Sequence, residues 1–94
     1  MNWSSVYIAW FDIALDTLIA VFVSYTMNFR IEFEQEADGR WIAEVVDIPG
    51  ALVYGKSREE AMLKAQALAL RVLAERIDLG EVPSMPLTIS FLAA

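Results

Sequence analysis

The 94-residue chain contains no cysteine and no histidine. Disulfide bonds, thiolate and imidazole metal ligands, and catalytic schemes that use either side chain are therefore excluded. Basic residues are also few: 7 Lys and Arg stand against 13 Asp and Glu, which gives a formal net charge of −6. Such an acidic chain is not expected to bind nucleic-acid phosphates. The composition favours a binding or structural domain, without a cofactor, over an enzyme.

Hydrophobic residues make up 57% of the chain, and they are unevenly distributed. Residues 1–26 contain two Asp and no Lys or Arg, whereas a charged, alternating pattern begins at Met27. The apolar run from residue 6 to residue 25 is interrupted only by Asp12, Asp16, Thr17 and Ser24. We therefore predict two parts: an apolar, helical N-terminal extension over residues 1–26 and a folded domain over residues 27–94.

The extension has three interpretations, which the sequence leaves open. Twenty apolar residues suffice to cross a bilayer as a helix, although Asp12 and Asp16 would each cost about 2.5–3.5 kcal/mol near its centre. A soluble helix could instead pack on a partner copy. In the third interpretation Met27 is the biological start. No basic residue precedes the apolar run, so a secretory signal is not expected.

From Met27 the sequence predicts a β-hairpin. Phe29, Ile31 and Phe33 alternate with charged residues, which is the period of a half-buried strand. A second strand is predicted over residues 40–46, after the turn signal Asp38-Gly39.

The faces of the two strands decide the length of the hairpin loop. A two-residue loop would place Phe33 opposite Glu44 and bring charge to the apolar side. A three-residue loop over residues 37–39 pairs Phe33 with Ala43 and keeps one face apolar. The same register pairs Ile31 with Val45 and Gln35 with Trp41. We therefore predict a bulged hairpin with Gly39 in the left-handed region.

The rest of the chain predicts a third strand, a helix and a fourth strand. Residues 51–54 form a short strand that ends at Gly55, and Ser57-x-x-Glu60 is a capping box at the start of a helix. The helix continues to residue 79 and stops at Gly80. Alternation over residues 87–92 predicts the last strand. The fold class is α+β with the order β-β-β-α-β, and a right-handed crossover is expected if strands three and four are parallel.

The predicted helix has two apolar edges. The face expected to lie on the sheet contains Ala61, Ala65, Leu68, Ala69, Val72 and Leu79. The second edge contains Met62, Leu70, Leu73 and Ile77. We predict this second edge as an interface of a homo-oligomer, because exposed apolar area of that extent marks interfaces. The alternative is that the last strand or the N-terminal segment covers it.

Five short motifs follow one another at compact spacing: Met27-Asn28-Phe29-Arg30-Ile31, Asp38-Gly39-Arg40-Trp41-Ile42-Ala43-Glu44-Val45, Asp47-Ile48-Pro49-Gly50, Tyr54-Gly55-Lys56-Ser57 and Glu59-Glu60-Ala61. In this order they resemble the HicB-like antitoxin family of type II toxin–antitoxin systems, and the resemblance covers roughly residues 27–86, most of the chain. The resemblance implies a partial ribonuclease-H-like fold of three antiparallel strands, a helix and a further strand. It also implies a cytoplasmic protein that binds and neutralises HicA, a small basic mRNA ribonuclease.

The chain departs from the family pattern at both ends. Full-length antitoxins continue into a helix-turn-helix or ribbon-helix-helix segment, whereas this sequence stops at Ala94, so direct binding of nucleic acid is not expected. The apolar extension has no counterpart in the family. An orphan, self-assembling module without a toxin is therefore an alternative function.

The candidate binding residues are Glu32, Glu34 and Glu44, which alternate with the apolar side chains of the hairpin. A row of carboxylates can mimic nucleic-acid charge and steer a basic ribonuclease into a complex. A solvated outer face explains the same pattern. A third interpretation, in which Glu32, Glu44 and Asp47 hold two divalent metal ions for a nuclease reaction, is disfavoured because a chain with net charge −6 offers little to hold a polyanion.

Overall fold

The computed structural model describes residues 24–94, which form four strands and one helix. In chain order these are β1 (Tyr25–Gln35), β2 (Trp41–Val45), β3 (Leu52–Gly55), α1 (Arg58–Asp78) and β4 (Leu87–Ala93). The predicted α+β class and the order β-β-β-α-β are confirmed. Within this part of the chain, no helix has both the length and the apolar character needed to cross a bilayer.

The first strand extends beyond the charged, alternating part of the sequence. β1 begins at Tyr25, two residues before Met27. Tyr25 and Thr26 pair with Leu87 and Thr88 of β4, so both residues belong to the sheet. The predictions made for the extension, its helix and its membrane contact, otherwise lie outside the described residues.

The four strands form one mixed sheet in the order β3-β2-β1-β4. β1 and β2 are antiparallel, as are β2 and β3, whereas β1 and β4 are parallel. After α1 the chain therefore returns to the far edge of the sheet and pairs with β1. β4 does not pair with β3, although these are the two strands that the helix connects.

The β1–β2 hairpin has the predicted register. Phe33 pairs with Ala43, and Gln35 pairs with Trp41. Gly39 has a φ of 92°, in the left-handed region that a side chain would disfavour. The Asp38 carboxylate accepts two hydrogen bonds from Arg40, one from its backbone N–H at 3.0 Å and one from its side-chain Nε at 2.7 Å. These bonds stabilise the charged carboxylate and lower the pKa of Asp38.

Both ends of α1 are capped, although the predicted capping box is only half formed, since the Glu60 carboxylate pairs with Lys64 rather than with the Ser57 N–H. The Ser57 hydroxyl accepts a hydrogen bond from the Glu60 N–H at 3.0 Å. The Glu60 carboxylate lies 3.0 Å from Lys64 Nζ, and this hydrogen bond is the largest cause of its lowered pKa. At the other end Gly80 has a φ of 73° and donates to the Ile77 carbonyl, while the Glu81 N–H donates to the Arg76 carbonyl. This is a Schellman motif.

The core lies between α1 and the inner face of the sheet. That face contributes the buried residues Phe29, Ile31, Ala43 and Val45, and α1 contributes Ala61, Ala65 and Ala69. Leu68 and Val72 are half-buried against this cluster. The prediction for Leu79 was wrong: its side chain is 65% exposed, because α1 ends at Asp78 and Leu79 is only its C-cap.

The second apolar edge of α1 is narrower than the sequence indicates. Leu73 is only 3% exposed, so this chain alone buries it, and Met62 is half-buried against the core. Leu70 and Ile77 keep 45% and 44% of their surface exposed. Of the four predicted interface residues, Leu70 and Ile77 therefore offer the most surface to a partner, and Leu73 offers almost none.

Candidate functional site

Three carboxylates lie on the outer face of the sheet, the side away from α1. Glu32 and Glu34 are exposed on β1, and Glu44 is exposed on β2. They alternate with the buried residues of the same strands, since successive side chains of a strand point to opposite faces. We call Glu32, Glu34 and Glu44 the acidic face.

The strand register brings two of these carboxylates together. Glu32 and Glu44 are directly opposite each other in the β1–β2 pair, whereas Glu34 is opposite Ile42. Like charges directly opposite each other destabilise a sheet. The pair Glu32–Glu44 therefore has a small cost to folding that a cationic partner would relieve.

A single basic residue of β1 borders the acidic face. Arg30 Nε lies 3.9 Å from Glu32 Oε1, and both side chains are more than half exposed. An exposed pair at this distance contributes little to stability, so the Arg30 side chain can move away from Glu32 when another cation approaches. The acidic face thus keeps an excess of negative charge.

Asp47 has a structural role that the sequence did not indicate. Its Oδ2 accepts a hydrogen bond from the Arg30 backbone N–H at 3.0 Å, and the Val46 N–H donates to the Arg30 carbonyl at 2.9 Å. Through these two bonds, the turn that follows β2 is hydrogen-bonded to the backbone of β1. Within residues 24–94 no group of three Asp or Glu side chains is arranged to hold a metal ion. The arrangement of Glu32, Glu44 and Asp47 required by the nuclease interpretation is therefore not present.

Apolar side chains of β3 continue the outer face beside the carboxylates. Leu52 lies opposite Glu44 and Tyr54 lies opposite Ile42, with 44% and 43% of their surfaces exposed. The Arg40 guanidinium stacks over the Tyr54 ring at 4.7 Å. The sequence alone does not assign Leu52 and Tyr54 to the site, because only the β2–β3 register shows that they share a face with Glu44.

An open apolar groove of about 300 Å³ lies on the other side of the sheet, between the first turns of α1 and the ends of β1 and β4. Phe33 and Ala93 line it from the strands, and Met62 and Leu63 line it from the helix. The Arg58 guanidinium stacks on the Phe33 ring at 4.2 Å. The groove and the acidic face are on opposite sides of one sheet, so they do not form one site.

Comparisons of the chain with models of protein families, with curated proteins and with solved structures each find no significant match.

Proposed function

We propose that this chain is a HicB-like, antitoxin-type binding domain that neutralises a small basic HicA-type mRNA ribonuclease in the cytoplasm. It acts by direct protein–protein contact and without catalysis of its own. The observation that carries the proposal is the acidic face, in which Glu32 and Glu44 are directly opposite each other and Glu34 follows along β1.

The order of elements supports the proposal. Three antiparallel strands are followed by a helix and a further strand, which is the order that the HicB-like motifs imply for a partial ribonuclease-H-like fold. The hairpin and the start of α1, where most of those motifs lie, adopt the local structures that the motifs predict.

The chemistry of the outer face also supports it. Carboxylates steer a basic partner by long-range attraction, which raises the rate of association. Leu52 and Tyr54 lie next to these charges and give the partner apolar surface to bury. A stable interface needs both charged and apolar groups. Charges at its rim contribute mainly to the association rate and the orientation, whereas buried aromatic and aliphatic groups contribute most of the affinity.

The test first asks whether a neighbouring reading frame encodes a small basic protein, and such a protein is then the probe. We expect the full chain to bind this protein, to inhibit its cleavage of RNA, and to bind more weakly as salt increases. Reversal of Glu32 and Glu34 to Lys should weaken binding at low salt by about tenfold or more and flatten the salt dependence. Titration calorimetry at several salt concentrations measures both effects.

The matched control is Glu75→Lys with Glu81→Lys, which changes the net charge by the same amount away from the acidic face. We expect the control to keep most of the affinity. Equal losses of affinity in the two double variants would contradict a docking site at the acidic face, and an affinity independent of salt would contradict the electrostatic account.

Two other outcomes would favour the alternative functions. A neighbouring reading frame without a small basic protein would favour the orphan module, and Mg²⁺-dependent RNA cleavage lost on Glu44→Gln would favour the nuclease interpretation.

Self-assembly is a second candidate function, and it is compatible with the first. Leu70 and Ile77 are exposed one above the other on α1, seven residues apart. Exposed aliphatic residues that share a helix face favour contact with another apolar surface.

A further inference from the structure

Within residues 24–94, β4 is an edge strand of the sheet, and it lacks the usual protection of such edges. It has seven residues in continuous register with β1, with no bulge and no internal proline. No charged side chain occurs from Val82 to Ala94. Natural proteins block edge strands with charges, prolines, bulges or very short strands, because free N–H and C=O groups otherwise pair with another chain. The opposite edge, β3, has only four residues.

The pairing with β1 determines which backbone groups of β4 are free. The Tyr25 N–H donates to the Pro86 carbonyl, and the Ala94 N–H donates to the Ile31 carbonyl. The even-numbered residues of this segment therefore turn their backbone groups toward β1. Because N–H and C=O of one residue point to the same side of a strand, the odd-numbered residues turn theirs to the open edge. These are Leu87, Ile89, Phe91 and Ala93.

We propose that β4 pairs antiparallel with β4 of a second copy of this chain, about a two-fold axis at Ser90. This register places Ile89 opposite Phe91 of the second copy and Leu87 opposite its Ala93. Each residue whose backbone groups are free therefore lies opposite a residue of the second copy whose backbone groups are also free. In each of these pairs the two residues exchange both N–H···O bonds. The result is one continuous sheet of eight strands, with both helices on the same side.

The side chains of β4 are self-complementary in this register. On the inner face, half-buried Ile89 and Phe91 cover each other across the axis, and Phe91 already stacks on Phe29 at 5.6 Å between ring centroids. On the outer face, Ser90 meets Ser90 of the second copy, and no charged side chains meet. An uncharged strand lets two copies of a chain with net charge −6 approach without opposing carboxylates. A basic partner would gain nothing from β4 and would bind the acidic face.

The absence of cysteine from the natural chain permits a direct test by single-cysteine cross-linking. In the proposed register the two Ser90 residues form a non-hydrogen-bonded pair, with Cα atoms about 4.5 Å apart, which suits a disulfide. We expect the full-length chain to sediment with twice the mass of one chain. Ser90→Cys should then form a disulfide-linked dimer on mild oxidation.

The matched control is Leu92→Cys, because Leu92 lies opposite Thr88 of the second copy and far from its own equivalent. Leu92→Cys alone should not cross-link, whereas an equimolar mixture of Thr88→Cys and Leu92→Cys chains should give the mixed dimer. This mixture also serves as the test if Ser90→Cys fails to fold. A monomeric full-length chain would overturn the proposal. So would a dimer in which neither Ser90→Cys nor the mixture cross-links, or in which Leu92→Cys alone cross-links as readily. The proposal is independent of toxin binding.

Discussion

At the scale of single residues, Gly55 shows how closely β3 approaches α1. A Cβ atom at this position would lie 2.5 Å from the Ala61 backbone N and 2.9 Å from its Cα. Such distances are well inside van der Waals contact, and backbone atoms of a helix cannot move aside as a flexible side chain can. Gly55 is therefore required for space, whereas Gly39 is required for its positive φ.

The prediction from this contact concerns Gly55→Ala. We expect the free energy of unfolding to fall by about 1–3 kcal/mol, because the added methyl group pushes β3 away from α1. Urea denaturation with constant m-value measures the loss. The second variant is Gly55→Ala with Ala61→Gly, which should not restore stability, since the closest atoms belong to the backbone. Wild-type stability of Gly55→Ala would contradict the close approach.

At the scale of elements, a backbone hydrogen bond and an ion pair between Asp38 and Arg40 stabilise the loop of the β1–β2 hairpin. The Glu36 N–H donates to the Arg40 carbonyl at 2.7 Å and closes the loop. Within the loop, the Arg40 backbone N–H is the largest cause of the lowered pKa of Asp38, and the Arg40 side chain is the next. Asp38 thus prefers its charged form in the folded hairpin.

The sign of this shift gives a pH prediction. Because folding lowers the pKa of Asp38 below 3.8, its contribution to stability is present above that pH and is lost as the pH falls through the folded value. Arg40→Ala should raise the pKa of Asp38 only in part, since the backbone N–H still donates. Carboxyl NMR titration of both proteins measures the shift. A complete return to 3.8 in the variant would show that the side chain, rather than the backbone, causes it.

At the scale of the whole molecule, the sheet begins before Met27. The Tyr25 N–H donates to the Pro86 carbonyl at 2.9 Å, and the Ser24 and Thr88 hydroxyls are 2.7 Å apart. Residues 24–26 thereby extend the β1–β4 pairing, which joins the beginning of the domain to its last strand.

We predict that a chain beginning at Met27 is less stable than one beginning at Ser24. The expected difference is roughly 1–3 kcal/mol, because about two hydrogen bonds are lost at roughly 0.5–1.5 kcal/mol each. Thermal and urea unfolding of the two chains measure it, and Thr88→Val in the longer chain removes the hydroxyl contact alone as a control. Equal free energies of unfolding would show that residues 24–26 do not stabilise the fold.

Much of the fold follows from short-range pattern. The register of the hairpin was predictable, because only a three-residue loop places Phe33 opposite Ala43 and keeps charge off the apolar face. The caps at Ser57 and Gly80 were predictable for a similar reason: a helix end is decided within a few residues. The exposed positions of Glu32, Glu34 and Glu44 follow from the two-residue period of a strand.

The tertiary structure decided what depends on distant parts of the chain. The alternation over residues 87–92 predicts a strand but does not indicate which strand it pairs with. Only the path of the chain after α1 places β4 beside β1. The burial of Leu73, the exposure of Leu79 and the contact of Gly55 with Ala61 depend on where α1 lies over the sheet. Periodicity describes which side chains share a face, whereas burial depends on what another element places against that face.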